Sequence, residues 1–477
     1  MRSIKLTLFG FIVFTLFYIL QSDSFAQVSS NSPYSNYGIG EINAKGFASN
    51  FAMGGTYIAV QNDSTPNHFI NSGNPASYAN TFLTTVEVGA NVNVLTQKTA
   101  TAKESLLSGS IGYVSVAIPV KKWWGSCIGL RPYSVVGYNI NASQTVDTVT
   151  INNGYQGKGG LNQAYFGNGF KPLYFLPDKF LKSKKYKRLS EEKKDSVINK
   201  ILKRRQAWQG LFIGANLSYL FGSITNTETS VFPSGLNAFN TSINSTTYLD
   251  KLSFDYGLQY SYTFDSLNGR DLKDNFTILF GATFSAKTNL NARIDSLTYN
   301  YFTSPYGQNI VQDTIVNSGN TKSKIALPLS FGFGLGFRKG EKWLVAADYA
   351  FQNWSSYTAF GQSQGFKNSM RISLGGQYIP NSESNNYFKR ISYRFGVRYA
   401  QTMIVIQDYQ ITEQAISFGL GLPAGNVRLT QSFSMINIGA EVGTLGTTAD
   451  GLVQELFFKI NIGGTINDKW FVKRKID

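Results

Sequence analysis

Residues 84–95 read Thr-Thr-Val-Glu-Val-Gly-Ala-Asn-Val-Asn-Val-Leu, with Val86, Val88, Ala90, Val92 and Val94 on one parity and Glu87, Gly89, Asn91 and Asn93 on the other. Successive side chains of a strand point to opposite faces, so this stretch is a strand with one apolar and one polar face. The same alternation returns as far as the C-terminus. In a soluble sandwich the apolar face would pack on a core. In a chain of 477 residues with 27 Tyr, 36 Phe and 46 Gly, it fits the lipid-facing wall of a transmembrane β-barrel better.

Alternation broken by Gly/Asn/Asp-rich interruptions and tight turns predicts about fourteen strands, near 84–95, 108–120, 126–141, 160–171, 210–223, 251–263, 276–293, 323–338, 343–357, 368–379, 391–402, 410–422, 429–442 and 453–465. An even count suits a closed single-chain barrel with both termini in the periplasm. The expected fold is therefore all-β, a transmembrane antiparallel β-barrel of about 14 strands with an N-terminal plug segment and a helical periplasmic insert. Parity places Lys121–Gly125 and Arg338–Lys342 on the periplasmic side, with Trp123, Trp124 and Trp343 in an aromatic girdle. The segments 143–159, 224–250 and 294–322, rich in Asn, Ser and Thr, are expected to be long outer loops.

Composition agrees with a membrane wall. Hydrophobic residues make up 42% and aromatic residues 14%, whereas charged residues make up only 15%, against about 25% in typical soluble domains. Arg2 and Lys5 precede an apolar run from Leu6 to Leu20, and Ser24-Phe25-Ala26 has the small-x-small form of a cleavage site. Residues 1–26 thus read as a signal peptide, which implies Sec export to a Gram-negative outer membrane. Beyond it no stretch of about 18 apolar residues remains for a spanning helix.

The domain plan that follows is 1–26 signal peptide, 27–83 N-terminal plug, 84–465 barrel, and 466–477 basic C-terminal tail, with a basic insert at 171–209. That insert is too long for a periplasmic turn and reads as helix. Ser190 is its N-cap, Glu191 and Glu192 fall in the first turn, and Lys203, Arg204 and Arg205 fall in the last. Between 171 and 206 ten lysines and three arginines face four acidic residues, a net +9 of the chain's +16. Lys182, Lys184, Lys185, Lys187, Arg188, Lys203, Arg204 and Arg205 are accordingly the expected contacts for anionic lipid or for a periplasmic or membrane protein partner. A solvated helical hairpin with no ligand is the plain alternative. Nucleic acid is not expected, since Tyr186 and Trp208 do not make a stacking platform.

Chemistry at a catalytic site is not expected. His68 is the sole histidine and Cys127 the sole cysteine, so no His-His metal site or internal disulfide can be assembled, and with His68 in the 27–83 plug a Ser/His/Asp set is not expected. Asp265, Asp271 and Asp274 flank Asn268-Gly269 without the spacing of a calcium loop and read as a turn. No cofactor, metal or enzymatic activity is predicted.

Residues 27–83 are glycine-dense, with Tyr37-Gly38-Ile39-Gly40, Met53-Gly54-Gly55-Thr56 and Gly73-Asn74-Pro75-Ala76, and Pro66 and Pro75 exclude regular central strands. The stretch Ala52–Val60 followed by Asn74-Pro75-Ala76, together with Ala347-Asp348-Tyr349 and Trp354-Ser355, resembles the FadL/TodX family of outer-membrane transport proteins for hydrophobic compounds. The resemblance covers nearly the whole mature chain, apart from the insert and a tail that runs on through Lys469-Trp470-Phe471. It implies a lumen closed by an N-terminal hatch, a hydrophobic binding site and lateral release through a wall opening. The expected function is passive uptake of small hydrophobic compounds, with Gly54, Gly55, Asn74, Pro75 and Ala76 as the gate. The alternative is a barrel that docks other proteins in secretion or in outer-membrane protein assembly.

Overall fold

The computed structural model describes residues 31–61, 68–172, 210–233, 236, 238–264, 275–304, 306–424 and 433–468. Fourteen antiparallel strands form a ring. The first seven are β1 (Thr84–Lys98), β2 (Lys103–Lys121), β3 (Trp124–Val146), β4 (Val149–Phe170), β5 (Leu211–Val231), β6 (Asn240–Phe264) and β7 (Phe276–Ser285 and Thr288–Thr303). The others are β8 (Asn309–Leu327 and Ser330–Lys339), β9 (Trp343–Gln352), β10 (Ser369–Tyr378), β11 (Ser392–Ile406), β12 (Tyr409–Ala424), β13 (Phe433–Gly446) and β14 (Gln454–Asp468). Each pairs with the next, and β14 pairs with β1 from Gln454↔Lys98 to Asp468↔Thr84, so the ring closes. The count and order are those expected. The last strand runs to Asp468, three residues beyond the expected end of the barrel.

The alternation in residues 84–95 does what its parity requires. Val88 and Val92 are 48% and 40% exposed on the outer face, whereas Glu87 is buried on the inner one. Inside, Glu87 accepts hydrogen bonds from Thr465 Oγ1 at 2.6 Å and from the Ile70 amide at 3.3 Å. Lipid-side apolar residues and lumen-side polar residues therefore belong to the same strands. At one end, short turns carry the expected girdle: Trp123 and Trp124 stack with Phe170, and Trp343 lies 4.2 Å from the ring of Tyr378.

At the opposite end the structure corrects the loop expectation. Residues 143–159, 224–250 and 294–322 are mostly strand: β3 and β4 pair up to Val146↔Val149, and β5, β6, β7 and β8 extend the same way. Their Asn, Ser and Thr side chains bond across strands, as in Thr227 Oγ1 to Asn244 Oδ1 at 2.8 Å and Ser143 Oγ to Asn152 Oδ1 at 2.8 Å. Such cross-strand hydrogen bonds, with β-branched Thr on one side, suit a strand that has water on both faces, where apolar alternation is lost. In contrast, the strand expected at 343–357 stops at Gln352, and Trp354–Ser356 turns inward as a 3-10 turn.

Residues 31–61 and 68–83 are largely buried and hydrogen-bond to side chains of β6, β9, β12 and β14. They hold two 3-10 turns (Pro33–Asn36 and Pro75–Asn80), one helical turn (Ala48–Phe51) and a two-residue strand (Glu41–Ile42), which is the irregular path their glycines and prolines predicted. The signal peptide, Asp265, Asp271 and Asp274, the tail from Lys469 and all eight basic residues singled out in the insert lie outside the described residues.

Candidate functional site

The N-terminal segment is tied to several parts of the wall by buried polar groups. On β9, Asp348 Oδ2 accepts from the amides of Tyr57 at 2.6 Å and Ile58 at 2.9 Å. On β6, Gln259 Nε2 donates to the carbonyls of Ile58 at 3.0 Å and Val60 at 3.1 Å. On β2, the Tyr113 ring stacks on Phe47 at 3.8 Å and its hydroxyl accepts from the Ala48 amide. On β14, Asn467 Nδ2 donates to the His68 carbonyl at 3.0 Å.

The five candidate gate residues fall on two different walls. Gly54 and Gly55 have φ of +67° and +76°, a left-handed conformation that glycine adopts without strain. The Gly54 amide donates to Ser417 Oγ on β12 at 2.8 Å, and a Cβ on Gly396 of β11 would sit 2.0 Å from the Gly54 nitrogen. That approach requires a glycine in the wall. Across the lumen, Asn74 caps the Pro75–Asn80 turn by accepting from the Ala76 amide at 3.1 Å, and its Nδ2 donates to the carbonyls of Ile58 at 2.8 Å and Leu258 at 3.2 Å. Pro75 lies against Gly214 of β5. Asn74 thereby bonds to the 57–60 stretch that follows the Gly54-Gly55 motif.

Above this contact a cavity of about 390 Å³ remains. Lys45, Arg131, Arg371, Arg398 and Lys459 line it against Glu41, Asp255, Glu413 and Glu441. Lys45 Nζ is 3.0 Å from both Asp255 Oδ1 and Ser285 Oγ. Burial alone would push the Lys45 ammonium down, but the Asp255 carboxylate holds it above the usual lysine value. Arg398 reaches Glu413 and Glu441, and Lys459 Nζ is 3.1 Å from Glu41. The sequence carried a signal for this cluster: Arg398, Glu413, Glu441 and Lys459 are charged residues inside strands, at positions whose parity points inward.

The cavity reaches a gap in the wall. β2 and β3 pair only from Val114↔Leu130 to Lys121↔Trp124. Beyond that level Lys103–Tyr113 and Arg131–Val146 do not pair with each other. Instead Val135 and Ser134 of β3 pair with Glu41 and Ile42, and Tyr133 accepts from the Asn43 amide. Leu107 and Ile111, 71% and 62% exposed, flank this seam at the level of Val94 and Ala90. Backbone groups left unpaired at that depth would be costly in lipid.

The BamG family model matches residues 8–176 and 204–477. The chain belongs to the BamG family. The part of this BamG-family chain left unmatched, 177–203, falls within the basic insert. No curated protein matches the chain. Among solved structures, the toluene transporter TodX of Pseudomonas putida is 14% identical, with a TM-score of 0.51 over 90% of this chain and 100% of that one. A FadL homologue of Pseudomonas aeruginosa is 9% identical, with a TM-score of 0.52 over 90% and 99%. The fold of this BamG-family protein is thus that of a FadL-like outer-membrane β-barrel, as the sequence resemblance implied.

Proposed function

We propose that this protein is an outer-membrane barrel whose lumen is kept closed by residues 27–83 and which acts through its surface, as a docking or accessory subunit in outer-membrane protein assembly or secretion. The observation that carries this reading is the cavity: nine charged side chains line it beside aromatic and aliphatic ones, and a small apolar solute that crosses it would have to displace their hydration or their partners. The segment below it is buried against polar groups of the wall. A basic insert on the periplasmic side supplies a docking element, with Lys182 to Arg188 and Lys203 to Arg205 as its contacts. The BamG family match hints at a protein partner as well.

A second reading, passive uptake of small hydrophobic compounds with the 27–83 segment as hatch, is favoured by the β2/β3 seam, which would offer a lateral route to the bilayer, and by the likeness to the toluene transporter. Depletion of the protein separates the two. On the first reading, depletion lowers the amount of folded outer-membrane proteins and leaves uptake of a radiolabelled hydrophobic solute unchanged. The converse result establishes uptake and refutes docking. Deleting 178–206 behind a short Gly/Ser bridge should leave the barrel folded and abolish a salt-sensitive pull-down of the partner. An intact pull-down would remove the insert from the proposal.

A further inference from the structure

The wall has a second opening, four strands round the ring from the seam. β6 pairs with the first piece of β7 up to Asp255↔Ser285 and with the second piece from Asp250↔Asn291. Between these points residues 251–254 of β6 and 286–290 of β7 have no cross-strand partner in each other. The break recurs next door, where Pro328 and Leu329 interrupt β8 and Pro328 has no amide hydrogen to donate to the ladder. A notch of about 330 Å³ occupies the gap, and it shares Ser253, Phe254, Ala286 and Thr288 with the charged cavity inside.

Three lysines rim this window: Lys251 on its inner lip, on the strand face opposite to Leu252 and directly across from the buried Leu220, and Lys287 and Lys324 on the neighbouring strands. None forms an ion pair with another described residue. The nearby carboxylate, Asp250, accepts a 3.4 Å contact from Asn291. The height of the window is set by its own strand. Leu252 and Phe254, 53% and 48% exposed, continue an outward apolar row through Tyr256 and Leu258 toward the girdle end, whereas the hairpin beyond Asp250 turns polar. With both termini in the periplasm, the lysines therefore stand where the apolar band ends at the outer leaflet.

We propose that this window binds the phosphate-bearing headgroup of an outer-leaflet glycolipid. The phosphate enters the gap between Lys251 on its inner lip and Lys287 and Lys324, the sugar hydroxyls take up the edge groups that 251–254 and 286–290 turn toward each other, and the acyl chains lie along Leu252 and Phe254. A phosphate, with nearly two negative charges and three acceptor oxygens, matches cations placed around one gap. The apolar row below and the strand-edge donors and acceptors beside it select a glycolipid over a free ion.

The test uses the full chain in detergent and native mass spectrometry with bisphosphorylated lipid A, dephosphorylated lipid A and inorganic phosphate. The wild type should retain the bisphosphorylated lipid at least about tenfold over the dephosphorylated one. The Lys251→Gln/Lys287→Gln/Lys324→Gln variant should lose that preference, and a control with Lys122→Gln, Lys342→Gln and Lys389→Gln at the girdle end should keep it. A preference that survives in the window variant, or falls equally in the control, overturns the proposal. Complete displacement of the lipid by millimolar inorganic phosphate would identify an ion site and overturn the lipid assignment. Should the window variant not fold, a photoreactive lipid A on the wild type decides: cross-links to 251–254 or 286–290 support the site, and cross-links confined elsewhere refute it.

Discussion

Replacing Asp348 with Ala tests whether the N-terminal segment is held by charge-assisted hydrogen bonds. The Asp348 carboxylate is buried on β9, and one oxygen takes both the Tyr57 and Ile58 amides, at 2.6 and 2.9 Å. A hydrogen bond to a charged group contributes about 1.5–3 kcal/mol, so the pair contributes on the order of 3–6 kcal/mol. Asp348→Ala removes both acceptors and leaves two buried amides unpaired. The lower figure alone would raise local opening around residues 57–59 by about 150-fold. Hydrogen exchange of the Tyr57 and Ile58 amides in protein reconstituted into liposomes reads this directly, with heat-modifiable migration confirming that the barrel itself is folded. Asp348→Asn, which keeps an acceptor but not the charge, should fall between wild type and alanine. Exchange within threefold of wild type in a folded Asp348→Ala barrel would refute the reasoning, because the segment would then be held by its other contacts alone.

The two faces of β1 give a second test. Val92→Arg places a cation on the lipid face and should cost about 2–4 kcal/mol and reduce assembled barrel in the membrane, whereas Asn91→Arg points into the cavity beside Asn461 and should assemble normally; equal behaviour would mean the register is wrong. Arg398→Met leaves Glu441, whose side chain is 1% exposed, and Glu413 without their shared cation, a loss of about 3–5 kcal/mol in urea unfolding. Adding Glu413→Gln and Glu441→Gln should restore most of it, and a variant with no loss would show that Lys459 suffices for both carboxylates.

The strand count, the ring order and the direction each side chain faces were legible in the chain because all three follow from local alternation. Val88 and Val92 face lipid, and Glu87 faces the lumen, whatever the neighbouring strands do. The same local rule misled at 143–159, 224–250 and 294–322. There strands pass beyond the membrane, both faces meet water, and the apolar half of the pattern vanishes although pairing continues. What only the tertiary structure decided is which inward groups meet. Asp348 and Tyr57 are 291 positions apart, Arg398 and Glu441 are 43 apart, and the gate motifs at Gly54 and Asn74 contact different walls. The wall openings belong to this second class. β2 and β3 both have good strand sequences at the seam, and β6 is unbroken through residues 251–254. Whether two such strands pair depends on the path of the backbone across the ring: β3 yields its edge to Glu41 and Ile42, and β7 breaks at Ala286-Lys287. Hydrophobic period is a property of one strand, whereas a hydrogen-bonded edge is a property of two, and only the folded ring brings the second strand into place.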